Sequence, residues 1–286
     1  MRRSRLAVFT ALLLCLGINY TVAQASQTAA TTSSATPLII GESFTIASKA
    51  LGETRHINVY VARAWDTPPD APLPVLYMPD GGIQEDFLHV AGLLQVSVAN
   101  GTMRPFMLVG IQNTQRRRDL TGPTGNPEDR KIAPVVGGSA AYRSFIREEL
   151  MPEVKRRYRT TPETAIVGES LAGLFVVETF LLEPQLFDHY LAFDPSLWWN
   201  RGALPAQAAT LLRKQGPGKH SLYLASSNEK GIAVEVQRLE DILRQQAPPG
   251  LLWHVEKMPE ESHGTIYQPA ALKAFRTVFH PEVAVN

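Results

Sequence analysis

Short apolar runs recur along this 286-residue chain, and stretches with helical periodicity separate most of them. Runs that are apolar at successive positions are typical of central strands in a parallel sheet that is covered on both faces. Residues 56–62 instead alternate apolar and polar side chains, which predicts a half-buried strand near an antiparallel edge. Strands that alternate with helices predict an α/β fold, with a mostly parallel central sheet and helices on both faces. The covered strands are predicted at residues 74–78, 107–111, 165–167, 190–193, 221–225 and 251–255, and the helices at residues 85–98, 140–158, 171–182, 234–246 and 269–279.

The N-terminus has the three parts of a secretory signal peptide. A basic cluster at residues 2–5 precedes an apolar run at residues 6–16, and the Ala-Gln-Ala of residues 23–25 fits small-x-small cleavage. The apolar run is shorter than the roughly 20 residues that span a bilayer, which disfavours a retained anchor. Cys15 lacks the small preceding residue of a lipidated cysteine, which disfavours a lipoprotein. We expect cleavage after Ala25, export to the periplasm or out of the cell, and no stable membrane anchor.

The rest of the chain is expected to form one domain. Residues 26–36 are rich in Ser, Thr and Ala and predict a flexible lead-in to a domain that covers residues 37–286. Cys15 is the only cysteine, so the cleaved chain is expected to contain no disulfide, cysteine nucleophile or thiolate metal site. A formal net charge of +1 gives no electrostatic reason to expect a nucleic-acid partner.

The segment AIVGESLAGLFVVETFLL, residues 165–182, carries the strongest chemical signal. A β-branched strand runs through Gly168 to Ser170 and then directly into an apolar helix, which is the pattern of a nucleophile elbow. Ala172 occupies the place of the usual second glycine. The alternative is that Ser170 only caps the helix. At the first position of that helix, the Leu171 amide is expected to be free to stabilise an oxyanion.

A serine nucleophile needs a base and a group that orients the base. His263 follows the last predicted strand in a polar loop, where such a base is expected, although it also fits a solvated loop residue. The predicted acid is Glu229, the first carboxylate after residues 221–225, so that the chain order is serine, acid, histidine. Glu235 is the reserve, a Ser/His pair without an acid remains open, and Glu229 also fits an exposed side chain paired with a neighbouring lysine.

Other candidate site residues follow neighbouring strands. Gly81, in a Pro-Asp-Gly-Gly turn, is predicted to supply the second oxyanion amide, although a plain turn also explains the glycine. Trp198 and Trp199 are predicted either to line an acyl or aromatic pocket or to fill the core. Asn113 and Arg118 are candidate substrate-binding residues in the loop after residues 107–111, where a solvated loop is the alternative.

Six segments in order, LPVLYMPDGG, VGIQNTQRRRDLTGP, FIREELMPEVKRRYRT, IVGESLAGLFVVE, FDPSLWWN and ESHGT, resemble the "putative esterase" family of α/β-hydrolases. That family includes enterochelin-type siderophore esterases, feruloyl esterases, S-formylglutathione hydrolases and mycolyltransferases. The resemblance implies an α/β-hydrolase fold, with Ser170 as nucleophile, His263 as base, Gly81 as amide donor and Glu229 as acid. A departure is Asp194, where relatives often have serine, and its charge would weigh against acidic substrates.

The sequence therefore predicts an exported serine hydrolase that cleaves carboxylic esters through an acyl-enzyme. The expected partner is a small-molecule or glycan-linked ester, such as a siderophore, feruloyl or acetyl ester. No cofactor and no metal are implied. An acyltransferase on the same scaffold and a catalytically silent binding protein are the alternatives.

Overall fold

The computed structural model describes residues 35–281, and the compact unit that contains the site begins at Ile40. The expected signal peptide and its cleavage point lie outside the described residues. Within the part of the chain that is described, none of the helices combines the length and apolar composition needed to cross a membrane.

In residues 35–281 the strands form one eight-stranded sheet. They are β1 (Glu42–Ser48), β2 (Glu53–Ala62), β3 (Leu73–Pro79), β4 (Phe106–Ile111), β5 (Thr160–Glu169), β6 (His189–Phe193), β7 (Ser221–Ser226) and β8 (Leu252–Lys257). Their order across the sheet is β1-β2-β4-β3-β5-β6-β7-β8. The pairs β1/β2 and β2/β4 are antiparallel, and all later pairs are parallel. The predicted α/β-hydrolase fold is confirmed, and β1 is a strand that the sequence analysis did not identify.

Helices cover both faces of this sheet. They are α1 (Phe87–Ala99), α2 (Arg116–Asp119), α3 (Pro127–Lys131), α4 (Ser139–Phe145), α5 (Met151–Arg157), α6 (Leu171–Leu182), α7 (Trp199–Lys214), α8 (Lys230–Gln246) and α9 (Tyr267–Val278). The core on one face contains side chains from α4 to α8, and the core on the other contains α1 and α9. Successive residues of β3 alternate between these cores, with Val75 and Tyr77 in the first and Leu76 and Met78 in the second. Burial on both faces is therefore the reason why the central strands are uniformly apolar.

Two helical regions differ from the predicted ones. The helix predicted at residues 140–158 is divided by a π-helical turn at Ile146–Leu150, just before Pro152, which has no N–H for the regular helical bond. Helix α7 was not predicted. Its first turn contains left-handed residues at 200–202, and Pro205 lies inside the helix, so the sequence lacks a regular helical period.

The parallel strands end at one edge of the sheet, and the loops that follow them meet there. The loops after β3, β5, β6 and β8 contain, respectively, Gly81, Ser170, Asp194 and His263. Open α/β sheets bind ligands outside the carboxyl ends of their strands. The fold thus places the residues with candidate chemistry at the edge where a ligand is expected.

Candidate active site

The turn between β5 and α6 holds Ser170 in an unusual backbone conformation. Its φ is 59° and its ψ is −120°, a left-handed region that a non-glycine residue rarely adopts. Gly168 must be glycine, because a Cβ there would lie 2.7 Å from the Cβ of Ala172. Gly173 is similarly confined, because its Cβ would lie 3.0 Å from the carbonyl oxygen of Phe193. Ala172 is itself buried in this turn, so a small side chain at that position is compatible with the elbow.

Ser170, His263 and Asp194 form a continuous chain of hydrogen bonds. The Ser170 Oγ lies 3.0 Å from His263 Nε2, and His263 Nδ1 lies 2.9 Å from Asp194 Oδ2. An ionised carboxylate only accepts hydrogen bonds, so Nδ1 carries the proton and Nε2 is free to accept one from the serine. This is the geometry in which imidazole activates a serine hydroxyl.

The protein holds Asp194 firmly in this position. Its side chain is fully buried, with 0% exposure, and it accepts hydrogen bonds at 2.6 Å from both the N–H and the hydroxyl of Ser227. Its own N–H donates to the carbonyl of Ala225. Buried carboxylates require such donors, because an unpaired buried charge is costly. The orientation of the carboxylate toward His263 is therefore fixed before any substrate arrives.

Glu229 does not occupy the place that the sequence analysis gave it. It is exposed at the start of α8, where its N–H donates to the Ser227 hydroxyl, and Asp194 makes the contact with His263 instead. The reason is the sheet order: β6 lies next to β5, the strand that leads into Ser170, whereas β7 lies one strand, about 4.8 Å, further away. The reserve, Glu235, lies near Arg238 at 3.7 Å.

A second carboxylate lies beside the same imidazole nitrogen. Glu169 Oε1 is 3.3 Å from His263 Nδ1, and burial raises the pKa of Glu169 to about 7, opposed by the charge of His263. The pKa of His263 is raised chiefly by the hydrogen bond to Asp194, against the opposing effect of burial, and the charge of Glu169 adds to the increase. Both Asp194 and Glu169 lie inside segments that the sequence singles out, FDPSLWWN and IVGESLAGLFVVE, but neither was predicted to contact the imidazole.

The two predicted oxyanion amides have different environments. Leu171 is the first residue of α6, so its N–H has no carbonyl partner one turn earlier in the helix. Gly81 donates its N–H to the carbonyl of Ile111 at 3.0 Å, and the prediction that this amide faces a substrate is wrong. Glycine is required there for another reason: a Cβ would lie 2.3 Å from the Cα of Gly110 on β4.

An open cleft of about 430 Å³ lies beside the histidine. Asp86 and Glu169 bring carboxylates to it, and His89 contacts Asp86 at 3.1 Å. The lining residues are Asp86, His89, Glu169, His263, Gly264, Thr265, Tyr267 and Gln268. The cleft therefore combines His263 with polar and acidic walls.

Comparison with known proteins agrees with this geometry. The family model described as "Putative esterase" matches residues 48–267. The chain belongs to this family. Its members are esterases, so the protein is a carboxylic ester hydrolase, as the sequence resemblance predicted.

Individual relatives are siderophore esterases by name. The chain is 26% identical over 254 residues to the ferri-bacillibactin esterase of Bacillus subtilis, which covers 80% of this chain and 87% of the relative. It is 33% identical over 145 residues to the siderophore triacetylfusarinine C esterase of Aspergillus fumigatus, covering 45% and 46%. The crystal structure of an IroE-like serine hydrolase from Shewanella oneidensis is similar with a TM-score of 0.75 and 27% identity, covering 84% of this chain and 80% of that one.

The tryptophan pair of the esterase is divided between core and surface. Trp199 is 4% exposed and donates its Nε1–H to the carbonyl of Gly122 at 2.9 Å, so its predicted substrate-binding role is wrong and the core alternative is correct. Trp198 is 41% exposed, and neither ring lines the cleft beside His263.

Asn113 and Arg118 support the loops of the esterase. Asn113 donates its Nδ2–H to Asp80 at 2.5 Å, and Arg118 donates to Glu53 at 2.7 Å and to Asp119 at 2.6 Å. The hydrogen bond from Arg118 lowers the pKa of Glu53 to about 2, against the opposing effect of burial. Because these groups are engaged within the protein, the substrate-binding roles predicted for Asn113 and Arg118 are not supported.

One group among residues 35–281 has the spacing of a metal site. Ligand atoms of Glu169, Asp194 and His263 all lie within 4.8 Å of one another. Asp194 is already bonded to Ser227 and His263, so a cation there would compete with the hydrogen bonds that orient the imidazole.

Proposed function

We propose that this esterase hydrolyses the ester bonds of siderophores through a covalent acyl-enzyme on Ser170, with His263 as base and Asp194 as acid. The observation that carries the mechanism is the unbroken chain of hydrogen bonds from Ser170 through His263 to Asp194. The substrate class is supported by the names of two relatives, a ferri-bacillibactin esterase and a triacetylfusarinine C esterase.

The first step forms the acyl-enzyme. His263 Nε2 takes the proton of Ser170 as its Oγ attacks the ester carbonyl, and the resulting oxyanion accepts a hydrogen bond from the Leu171 amide at the start of α6. Asp194 stabilises the imidazolium that forms. His263 then gives the proton to the alkoxide of the leaving alcohol as the bond from the carbonyl carbon to the leaving oxygen breaks.

The second step releases the acid. A water molecule gives one proton to His263 Nε2 and attacks the acyl carbon, and the bond to Ser170 Oγ breaks as that oxygen takes the proton back. The net reaction consumes one water for each ester cleaved, and the residues return to their starting protonation states.

The substrate test uses purified protein with iron-free and ferric bacillibactin and with p-nitrophenyl butyrate. We expect hydrolysis of the siderophore, seen by mass spectrometry as the gain of one water per cleaved ester, and no product with Ser170→Ala. Cleavage of the nitrophenyl ester without any cleavage of the siderophore would contradict the substrate class and leave the serine mechanism intact. Transfer of the acyl group to an added alcohol in place of water would support the acyltransferase alternative.

We also propose that the esterase is exported. The support is the arrangement of a basic cluster, an apolar run and the Ala-Gln-Ala of residues 23–25. When the full chain is produced in a Gram-negative bacterium, the protein in the periplasmic fraction is expected to begin at Ser26, as measured by intact-mass analysis. Recovery of the uncleaved chain from the cytoplasmic fraction alone would contradict export.

A further inference from the structure

Two carboxylates compete for one imidazole N–H. His263 Nδ1 lies 2.9 Å from Asp194 and 3.3 Å from Glu169, and a single N–H makes its stronger hydrogen bond with the nearer group. Glu169 Oε1 is buried without a hydrogen-bond partner among the described residues, and its side chain is only 15% exposed. Burying a carboxylate oxygen without a hydrogen-bond partner costs free energy. Its position beside the His263 imidazole therefore calls for a physical explanation.

We infer that Glu169 is a positioning residue that acts through His263: its carboxylate stabilises the imidazolium form of His263 and so sets the pH range in which the esterase works. This inference rests on the proposed mechanism of Ser170 and His263. It gives a role to Glu169, which is not a member of the hydrogen-bond chain from Ser170 to Asp194.

The groups around Glu169 explain why His263 is its effective partner. The charged and titratable side chains that face it are His263 after β8, Asp194 after β6, Arg116 after β4, Asp86 before α1 and Tyr267 at the start of α9. Arg116 is held by Asp80 through two hydrogen bonds of 2.7 and 2.8 Å, which offset its charge. Burial raises the pKa of Tyr267 well above its usual range, so this phenol stays neutral. The negative charges of Asp86 and Asp194 disfavour a further anion, and the imidazolium of His263, whose Nδ1 lies 3.3 Å away, is the cation in direct contact with Glu169.

Protonation of this pair is coupled. Burial raises the pKa of Glu169 to about 7, so this carboxyl ionises over a range around that pH, and its charge in turn raises the pKa of the adjacent His263. Above that range the Glu169 carboxylate is negative and stabilises the imidazolium that forms when Ser170 transfers its proton. The same charge makes His263 harder to deprotonate, so the esterase loses activity at a higher pH on acidification than it would without Glu169.

Glu169→Gln separates these effects, because glutamine preserves shape and removes charge. We expect the acid limb of the pH profile to move to lower pH by about one unit, which is the size of effect that a charge at this distance produces. The rate on the alkaline plateau should fall by up to about tenfold, because one pKa unit of lost stabilisation corresponds to a factor of ten. The two curves then converge toward acidic pH, where the lower pKa of His263 offsets the slower plateau rate and where Glu169 is itself protonated, and they separate toward alkaline pH.

The measurement is the second-order rate of inactivation by diisopropyl fluorophosphate from acidic to alkaline pH, which needs no knowledge of the natural substrate. Glu229→Gln is the matched control: it removes a carboxylate that also raises the pKa of His263, but an exposed one that solvent screens. Its acid limb should move much less. Glu169→Asp keeps the charge one methylene further back and should give an intermediate shift, and it serves as the test if Glu169→Gln does not fold.

The inference is overturned if Glu169→Gln lowers the rate equally at every pH, which is the result of a purely structural role, or if Glu229→Gln shifts the limb as far. Equal inactivation of wild type and Ser170→Ala would instead contradict the proposed function itself.

The imidazole signals of His263, titrated by NMR in the Ser170→Ala background with and without Glu169→Gln, measure the pKa of His263 without any turnover. There we expect the lower pKa in the double variant.

Discussion

Ser170→Ala is expected to lower the rate of p-nitrophenyl acetate hydrolysis by about 10⁶-fold, which is the loss seen when the nucleophile of a serine hydrolase is removed. The reason is that no other described hydroxyl is within hydrogen-bonding distance of His263 Nε2, where the proton must go. The rate is measured with purified protein, and covalent labelling by a fluorophosphonate, located by mass spectrometry, reports the modified residue directly.

Ser196→Ala is the matched control for this prediction. The Ser196 hydroxyl is buried and lies 3.4 Å from the Ser170 Oγ, yet it is not hydrogen-bonded to His263. The same chemical change at this neighbour should cost far less activity. Hydrolysis that persists in Ser170→Ala, or labelling that moves to another residue, would show that the elbow serine is not the nucleophile.

The elbow at Ser170 was predictable because its signal is local. Gly168, Ser170 and the helix that follows lie within 18 contiguous residues, and the close approach that requires glycine at position 168 is to Ala172 inside the same turn. His263 was predictable because it follows the last strand in a loop, which is a position that chain order alone defines. The structure brings both residues to one edge of the sheet, as the order of strands and helices indicated.

The carboxylate that contacts His263 was not predictable in the same way. Asp194 and Glu229 both lie between the serine and the histidine in the chain, so chain order does not distinguish them. The choice depends on which strand lies next to β5, and this is a property of the sheet and not of any single segment. From the sequence, Asp194 is a departure from relatives whose charge is expected near the substrate, whereas in the structure that charge is buried against His263.

The glycine and tryptophan predictions failed for a related reason. A glycine after β3 correctly indicated close backbone approach, but the approaching group is Gly110 of β4 and not a substrate. Adjacent tryptophans give no indication of which one turns inward. The N–H of Trp199 finds the carbonyl of Gly122, 77 residues away in the chain, so its burial is decided by tertiary packing.

Asp194→Asn is expected to lower the turnover rate by about 10⁴-fold while leaving the fold intact. Ser227 determines how the asparagine amide is oriented. The backbone N–H of Ser227 still needs an acceptor, so the oxygen of the asparagine amide takes the place of Oδ1. The NH₂ group then takes the place of Oδ2 and donates to His263 Nδ1. That bond stabilises the tautomer with the proton on Nε2, which cannot accept the proton of Ser170.

Glu229→Gln, the corresponding change at the residue that sequence order favoured, should retain most of the activity because its carboxylate is exposed and is not hydrogen-bonded to His263. Steady-state rates of both variants on p-nitrophenyl acetate, with thermal melting to establish folding, decide between the two carboxylates. An active Asp194→Asn beside an inactive Glu229→Gln would assign the acid to the loop after β7. The opposite result would mean that the buried aspartate, held by Ser227 and adjacent to the nucleophile strand, fixes the tautomer on which the reaction depends.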